Sequence, residues 1–248
     1  MSLISIIMPY YDKQKFLEAS INSILAQTYT EFEIILVNDQ QNLEAKTLLK
    51  IISNNDSRIK LINNDKNLGA GESRNKAIDY ARGDFIAFCD CDDIWKPSKL
   101  ETQLNFMEKF NLNFSFTAYE IIDEDNNLIG SRNAKTSINF DQLKKSCDIG
   151  LSTVIIKKKV FDNKILRFGS IKTKEDFVLW LRIAQNNIEL KGLNINLSSW
   201  RKSSNSLSSS LIQKLIDGYK VYRVYLKYSR IKSLFYLVIL SINFILKR

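Results

Sequence analysis

From Leu3 to Phe88 the apolar residues fall into short β-branched runs that alternate with longer stretches of helical spacing. Leu3-Ile4-Ser5-Ile6-Ile7-Met8 reads as a buried strand stopped by Pro9, with a loop from Pro9 to Asp12. Glu33 to Val37 is a second strand that ends at the polar cluster Asn38 to Asn42. Arg58 to Ile62 and Asp84 to Phe88 are a third and a fourth. Between them, the spacing of Phe16, Leu17, Ile21, Ile24 and Leu25 predicts a helix. So do Leu43 to Ile52 and, after a loop at Asn67 to Gly71, Ser73 to Ala81. These strands do not alternate polar with apolar residues, so both faces are expected to be buried. That pattern is an α/β fold of βαβ units around a mostly parallel central sheet flanked by helices. Ligands of such sheets sit beyond the carboxyl ends of the strands, which singles out the loops Pro9 to Asp12, Asn38 to Asn42 and Cys89 to Trp95.

The second half is less regular. A helix is expected from Pro97, whose ring suits a first helical position, then strands at Phe114 to Tyr119 and Ser152 to Ile156. Lys174 to Gln185 is an apolar helix opened by Glu175-Asp176, a pair that by position alone also serves as a dipole or capping partner. Ser203 to Ser210 is locally simple and reads as a linker. Beyond it, Leu215, Tyr219, Tyr222 and Leu226 share one face of a basic amphipathic helix over Leu211 to Tyr228. The apolar run Ser233 to Leu246, flanked by Arg230, Lys232, Lys247 and Arg248, has 14 residues. It falls short of the roughly 20 that span a bilayer, so it either lies in a membrane interface or packs on the domain.

Charge and composition narrow the chemistry. With 36 Lys+Arg against 27 Asp+Glu, a formal charge of +9 favours an anionic partner: a nucleic acid, an acidic membrane face or a phosphorylated substrate. The chain has no histidine, which excludes Ser-His-Asp and Cys-His catalysis, and Cys89, Cys91 and Cys147 are too few for a zinc site or a disulfide framework. The chain is read as cytosolic. Directly after the fourth strand, Asp90-Cys91-Asp92-Asp93 holds three carboxylates at the ligand-bearing edge of the sheet. Like charges that close are costly unless a cation joins them, and Mg²⁺ or Mn²⁺ suits all-oxygen ligands that bridge to phosphates.

Together with these carboxylates, five further stretches resemble glycosyltransferase family 2, the inverting nucleotide-sugar transferases of Rossmann-like GT-A fold. The six are Ile4 to Asp12, Ser23 to Tyr29, Asn67 to Asn75, Gly83 to Asp93, Lys174 to Arg182 and Trp200 to Ser208. The resemblance implies a GT-A domain over residues 1–208, with a nucleotide-sugar half at about 1–95 and an acceptor half at about 96–208. The basic helical tail, 209–248, is left over for attachment to a membrane surface.

By the same resemblance, Pro9, Tyr10 and Tyr11 would cradle the nucleotide base, Tyr11 stacking on it, and Asp39 would accept a hydrogen bond from the base. Arg74 would approach the nucleotide or its phosphates. Asp90, with Cys91 beside it, would face the ribose and donor sugar, and Asp92 with Asp90 would bind a divalent metal, Mn²⁺ or Mg²⁺, on the diphosphate. Asp176 would be the catalytic base and Glu175 would orient it or the acceptor. Arg201 and the serines after it would close over the diphosphate. In a chain without histidine a carboxylate is the base available to deprotonate an attacking hydroxyl, and one base with one displacement inverts the anomeric centre.

Two departures stand out. The family usually carries two aspartates and Gly-Ser after its second strand, where this chain has Asn38-Asp39-Gln40-Gln41. The Gln-x-x-Arg-Trp pattern of processive synthases is missing, which favours addition of a single sugar. The expected partners are a nucleotide-sugar, a UDP-sugar by resemblance, a lipid-linked glycan acceptor in bacterial lipopolysaccharide, O-antigen or capsule assembly, and the inner face of the cell membrane. Nucleic acid is not expected, because it explains the charge but not the carboxylates. The alternatives are an inactive glycan-binding relative and a metal-dependent nucleotidyltransferase.

Overall fold

A computed structural model describes residues 2–203 and 210–246. The first half is a run of strand-helix units: β1 (Ile4–Tyr10), α1 (Gln14–Leu25), β2 (Phe32–Asn38), α2 (Leu43–Asn55), β3 (Ile59–Asn63), α3 (Ala70–Tyr80) and β4 (Phe85–Phe88). A short β5 (Ile94–Trp95) and α4 (Lys99–Lys109) lead to β6 (Phe114–Ile122), β7 (Leu128–Arg132), β8 (Ser137–Ile138), α5 (Phe140–Leu143) and β9 (Ile155–Lys157). The chain closes with α6 (Glu175–Gln185), β10 (Leu190–Arg201), α7 (Leu211–Lys220) and α8 (Arg230–Leu246).

The strands form one sheet in the order β3-β2-β1-β4-β9-β6-β10-β5, with β7 on β6 and β8 on β10. β1, β2, β3 and β4 pair in parallel, as do β6 and β10, while β9 runs antiparallel between β4 and β6 and so joins the two halves. Both faces are covered. Ile4, Ile6 and Met8 of β1 pack with α1 and α4 on one side, and Ile7 packs with Phe88 and the α6 residues Phe177 and Trp180 on the other.

Several boundaries differ from the pattern-based expectation. Pro9 and Tyr10 belong to β1, paired with Val37 and Asn38; a proline near the end of a strand forfeits only the donor it lacks. α3 starts at Ala70, not Ser73, because Gly69 adopts φ 81° and its carbonyl accepts from Ser73 N at 3.0 Å. Pro97 precedes α4, whose N-cap is Ser98. Leu151–Thr153 is a 3₁₀ turn rather than strand, since the Ser152 hydroxyl bonds to the chain around Asp90. α7 ends at Lys220 and passes into a π turn at Val221–Tyr225.

The tail packs on the domain along one side and leaves the other open. Tyr222 is fully buried, donates to the Lys144 carbonyl at 2.7 Å and stacks on Tyr236 of α8 with centroids 5.6 Å apart. Asn243 donates to the Lys145 carbonyl at 2.9 Å. Ile231, Leu234, Phe235, Val238, Ile242 and Ile245 stay exposed. Among the described residues no helix is long and apolar enough to cross a membrane. The linker residues 204–209 and the flanking Lys247 and Arg248 lie outside the described residues.

Candidate active site

The carboxyl ends of β1, β2 and β4, the start of α3 and the start of α6 meet in one cleft. Beyond β1, Tyr11 stands 49 % exposed while Tyr10 is buried. Asp12 turns the chain with φ 49°, and its N–H donates to Gln40 Oε1 at 2.9 Å. The glutamine found where the family has glycine therefore ties the β1 loop to the β2 loop. Asp39 is buried and already engaged: Oδ1 accepts from Asn64 Nδ2 and Leu68 N, and Oδ2 from Gly69 N, each at 2.8 Å. It holds the loop that leads into α3.

Arg74, on the first turns of α3, is nearly inaccessible and bridges two acids. Its Nη2 lies 2.6 Å from Asp90 Oδ1 and its Nη1 2.7 Å from Glu175 Oε1. The Phe168 ring lies 5.4 Å from the guanidinium carbon, and Nε has no hydrogen-bond partner. Asp90, with a third of its side chain exposed (33 %), is the open acid of the β4 loop.

Its neighbours divide by direction. Cys91 is buried, and burial, with Asp92 and Asp90 adding to it, pushes its thiol well above the ordinary range. Asp92 Oδ2 lies 3.0 Å from Lys13 Nζ, which also donates to Ser203 Oγ at 2.9 Å. Asp93 corrects the expectation of three clustered carboxylates: it turns inward, accepting from Arg201 N at 2.9 Å and from the Ser152 hydroxyl. Two acids of this loop, not three, stay partly exposed.

Asp90 and Asp92 fit a divalent cation shared with a diphosphate. Burial, and next the Asp90 carboxylate, raise the Asp92 pKa even with the Lys13 ammonium in contact. Among the described residues no group of three or more acidic, thiol or imidazole side chains is placed to hold a metal alone. The remaining ligands would come from phosphate oxygens and water, as is usual for Mg²⁺.

At α6, Lys174 adopts the left-handed φ 65° as N-cap and delivers Glu175 and Asp176 to the cleft. Burial pushes Glu175 up to about 7; Arg74 opposes the shift and Asp176 adds to it. Burial also raises Asp176, against the Phe177 N–H that donates to its Oδ1 at 2.7 Å. Both acids are thus better proton acceptors than exposed carboxylates.

Arg201, at the end of β10, sits under the β4 loop. Nε donates to the Asp92 carbonyl at 2.8 Å, Nη1 to the Asp123 carbonyl at 2.9 Å and Nη2 to Asn126 Oδ1 at 2.8 Å. In this arrangement the guanidinium braces the loop that carries the acids, and Ser204, Ser206 and Ser208 of the expected closing segment lie outside the described residues.

The structure therefore brings together Arg74, Asp90, Asp92, Glu175 and Asp176, with Tyr11 at the rim. Sequence reasoning missed Lys13 and Ser152. The available signal for Lys13 was its place just after the Pro9 to Asp12 loop; Ser152 had none, because its role comes from β9 folding back beside β4.

The family description "Glycosyl transferase family 2" matches residues 5–168. The chain belongs to this family. It is 39 % identical over 214 residues, 86 % of this chain and 82 % of the relative, to the Escherichia coli UDP-Glc:alpha-D-GlcNAc-diphosphoundecaprenol beta-1,3-glucosyltransferase WfgD. It is 34 % identical over 216 residues, 87 % of this chain and 84 % of the relative, to Escherichia coli WfaP, which bears the same enzyme name. Of solved structures, S. aureus TarS 1-349 in complex with UDP-GlcNAc superposes with a TM-score of 0.74 at 19 % identity, over 94 % of this chain and 70 % of that one. The mannosyltransferase PcManGT from Pyrobaculum calidifontis, with GDP-Man and Mn2+, superposes with a TM-score of 0.70 at 11 % identity, over 94 % and 69 %. The fold is GT-A, and this family 2 protein is a glycosyltransferase.

Proposed function

We propose that this glycosyltransferase moves one sugar, with inversion, from a UDP-sugar to a hydroxyl of a lipid-linked glycan acceptor in bacterial surface polysaccharide synthesis. UDP-glucose is the donor and a pyrophosphate-linked N-acetylglucosamine the acceptor by similarity to the two Escherichia coli relatives. The observation that carries the reading is the Arg74 bridge, which joins Asp90 of the donor side to Glu175 of the base-bearing helix at 2.6 and 2.7 Å.

The chemistry follows from the cleft. Tyr11, open at the rim, offers a ring for the base, and Asp39 sets the loops around it. Asp90 takes the ribose and donor sugar. Asp92 and Asp90 would hold the divalent metal, Mn²⁺ or Mg²⁺, which neutralises the leaving diphosphate. Asp176, with Glu175 beside it, accepts the proton of the acceptor hydroxyl as that oxygen bonds to the anomeric carbon. The bond from that carbon to the diphosphate oxygen breaks, and UDP leaves with the electron pair. Arg201 keeps the acidic loop in place from beneath.

The tail is read as the membrane contact. Its exposed apolar residues on α8 lie in a segment rich in cations, which suits the anionic inner face of a cell membrane. A donor screen tests the function: purified protein with Mn²⁺ or Mg²⁺ and each of the UDP-, GDP- and dTDP-sugars, with and without a lipid-pyrophosphate-N-acetylglucosamine acceptor. UDP release from UDP-glucose, raised by acceptor and abolished by chelation, is expected. Release from no donor, with no donor bound, would return the inactive glycan-binding relative.

A further inference from the structure

Asp217 of α7 is fully buried, and the transfer chemistry does not use it. Its Oδ2 accepts from Thr173 N at 3.0 Å, Thr173 Oγ1 at 3.1 Å and Gln213 Nε2 at 2.9 Å. Its Oδ1 has no hydrogen-bond partner, with Lys220 Nζ 3.6 Å away. A carboxylate removed from water is costly unless donors hold it, so α7 is fastened to the chain two residues ahead of Glu175.

The segment it fastens needs holding. Lys174 sits in the left-handed region that a side chain disfavours, and such a conformation persists only where its surroundings impose it. Asp217 grips Thr173 on one side of it, and a β-carbon at Gly218 would lie 3.6 Å from Lys174 Cε. A second contact lies further along the tail: the Tyr225 ring presses on Gly169, where a β-carbon would sit 3.2 Å from it. Gly169 N in turn donates to the Glu175 carbonyl at 3.3 Å. The stretch from Gly169 to Glu175 is therefore set by the tail.

The same helices carry the exposed apolar residues of α8 and, on α7, Leu211, Ile212 and Ile216, in company with Arg223, Lys227, Arg230 and Lys232. We infer that α7 and α8 act as a lever. Seating of the tail on an anionic lipid surface is transmitted through Asp217 and Thr173 to Glu175 and Asp176, so that turnover is faster at the membrane than in solution. This rests on the membrane reading of the tail given above. Asp217 is a positioning residue that touches no reactant. The π turn at Val221–Tyr225, a geometry that recurs at functional sites, joins the two helices.

The test separates binding from coupling. Full-length protein is sedimented with phosphatidylcholine vesicles containing or lacking phosphatidylglycerol. Transfer from UDP-glucose is followed with a water-soluble short-chain pyrophosphate-N-acetylglucosamine, and amide exchange is measured over residues 169–176. The wild type is expected to sediment with the anionic vesicles, to gain protection over 169–176, and to gain about fivefold in kcat at unchanged donor KM, a typical coupling between two sites. Asp217→Ala, and Thr173→Val should the first not fold, are expected to sediment equally and gain neither. Asp217→Asn, which keeps an acceptor oxygen toward Thr173, is expected to recover most of the gain. Failure to sediment with anionic vesicles would overturn the membrane reading and this inference together. Sedimentation without change in kcat or in exchange would overturn the coupling alone, and full stimulation of Asp217→Ala and Thr173→Val would remove Asp217 from it.

Discussion

Arg74 and Glu175, 101 positions apart in the chain, meet at 2.7 Å with the arginine all but sealed from water. The same guanidinium grips Asp90, so the geometry between the β4 loop and the start of α6 depends on one planar, two-pronged cation. Arg74→Lys keeps the charge but cannot span both acids. It should leave the protein folded and lower kcat by on the order of 100-fold through misplacement of the base. Arg74→Ala should also cost roughly 3–5 kcal/mol of stability, because two acids lose their buried partner. Thermal melts beside steady-state kinetics check both, and a lysine variant with normal kcat would show that the bridge is dispensable.

Asp176→Asn removes the proposed proton acceptor and keeps the shape. Transfer should fall by about 10²–10⁴-fold, the range of general base catalysis, while UDP binding by calorimetry stays near wild type. Near-normal turnover would reassign the base to Glu175.

The pH dependence has a definite sign. Burial holds Glu175 up to about 7, well above the usual carboxylate range, and raises Asp176 for the same reason. The base works deprotonated. kcat/KM should therefore climb between about pH 6 and 8 and lose that acidic limb in Glu175→Gln if Glu175 sets it. A flat profile across this window would contradict the assignment.

Glu33 makes an opposite prediction for stability. Burial opposes its ionisation, yet hydrogen bonds from Lys60, Ser5 and Arg82 hold it down to about 2, from 4.5. A depressed carboxylate stabilises the fold above its unfolded pKa and loses that contribution as pH falls from 4.5 toward 2. The loss amounts to about 3 kcal/mol. Denaturation of Glu33→Gln between pH 7 and 3 should show a smaller slope than wild type.

Gly71 of α3 has no room for a side chain: a β-carbon would stand 2.7 Å from the Gly169 carbonyl and 3.3 Å from Glu175 Cβ. Gly71→Ala must push the 169–175 segment outward, so kcat should drop while UDP affinity holds. An unchanged kcat would mean that this segment yields without moving the acids.

Much of the fold was legible because burial on both faces of a parallel sheet leaves apolar runs without polar alternation, as in Ile6 to Met8 and Ile34 to Val37. The acids of the β4 loop could be placed at a strand end for the same reason. Less legible were the helix starts and strand ends, which turned on Gly69, Pro9 and Ser152, residues whose conformations are set by partners far along the chain.

The sequence alone determined the alternation of strands and helices and the loops at the carboxyl edge, since periodicity and residue type are local properties; the acids at 90, 92, 175 and 176 were singled out by the resemblance of their motifs to the family. Only the tertiary structure decided which way each charged group points. Asp93 turns inward to a backbone N–H and a hydroxyl, Arg201 turns under the loop to carbonyls, and Arg74 joins acids from two distant segments. A buried charge takes the partners that folding brings to it, and those partners come from elements that no spacing rule connects.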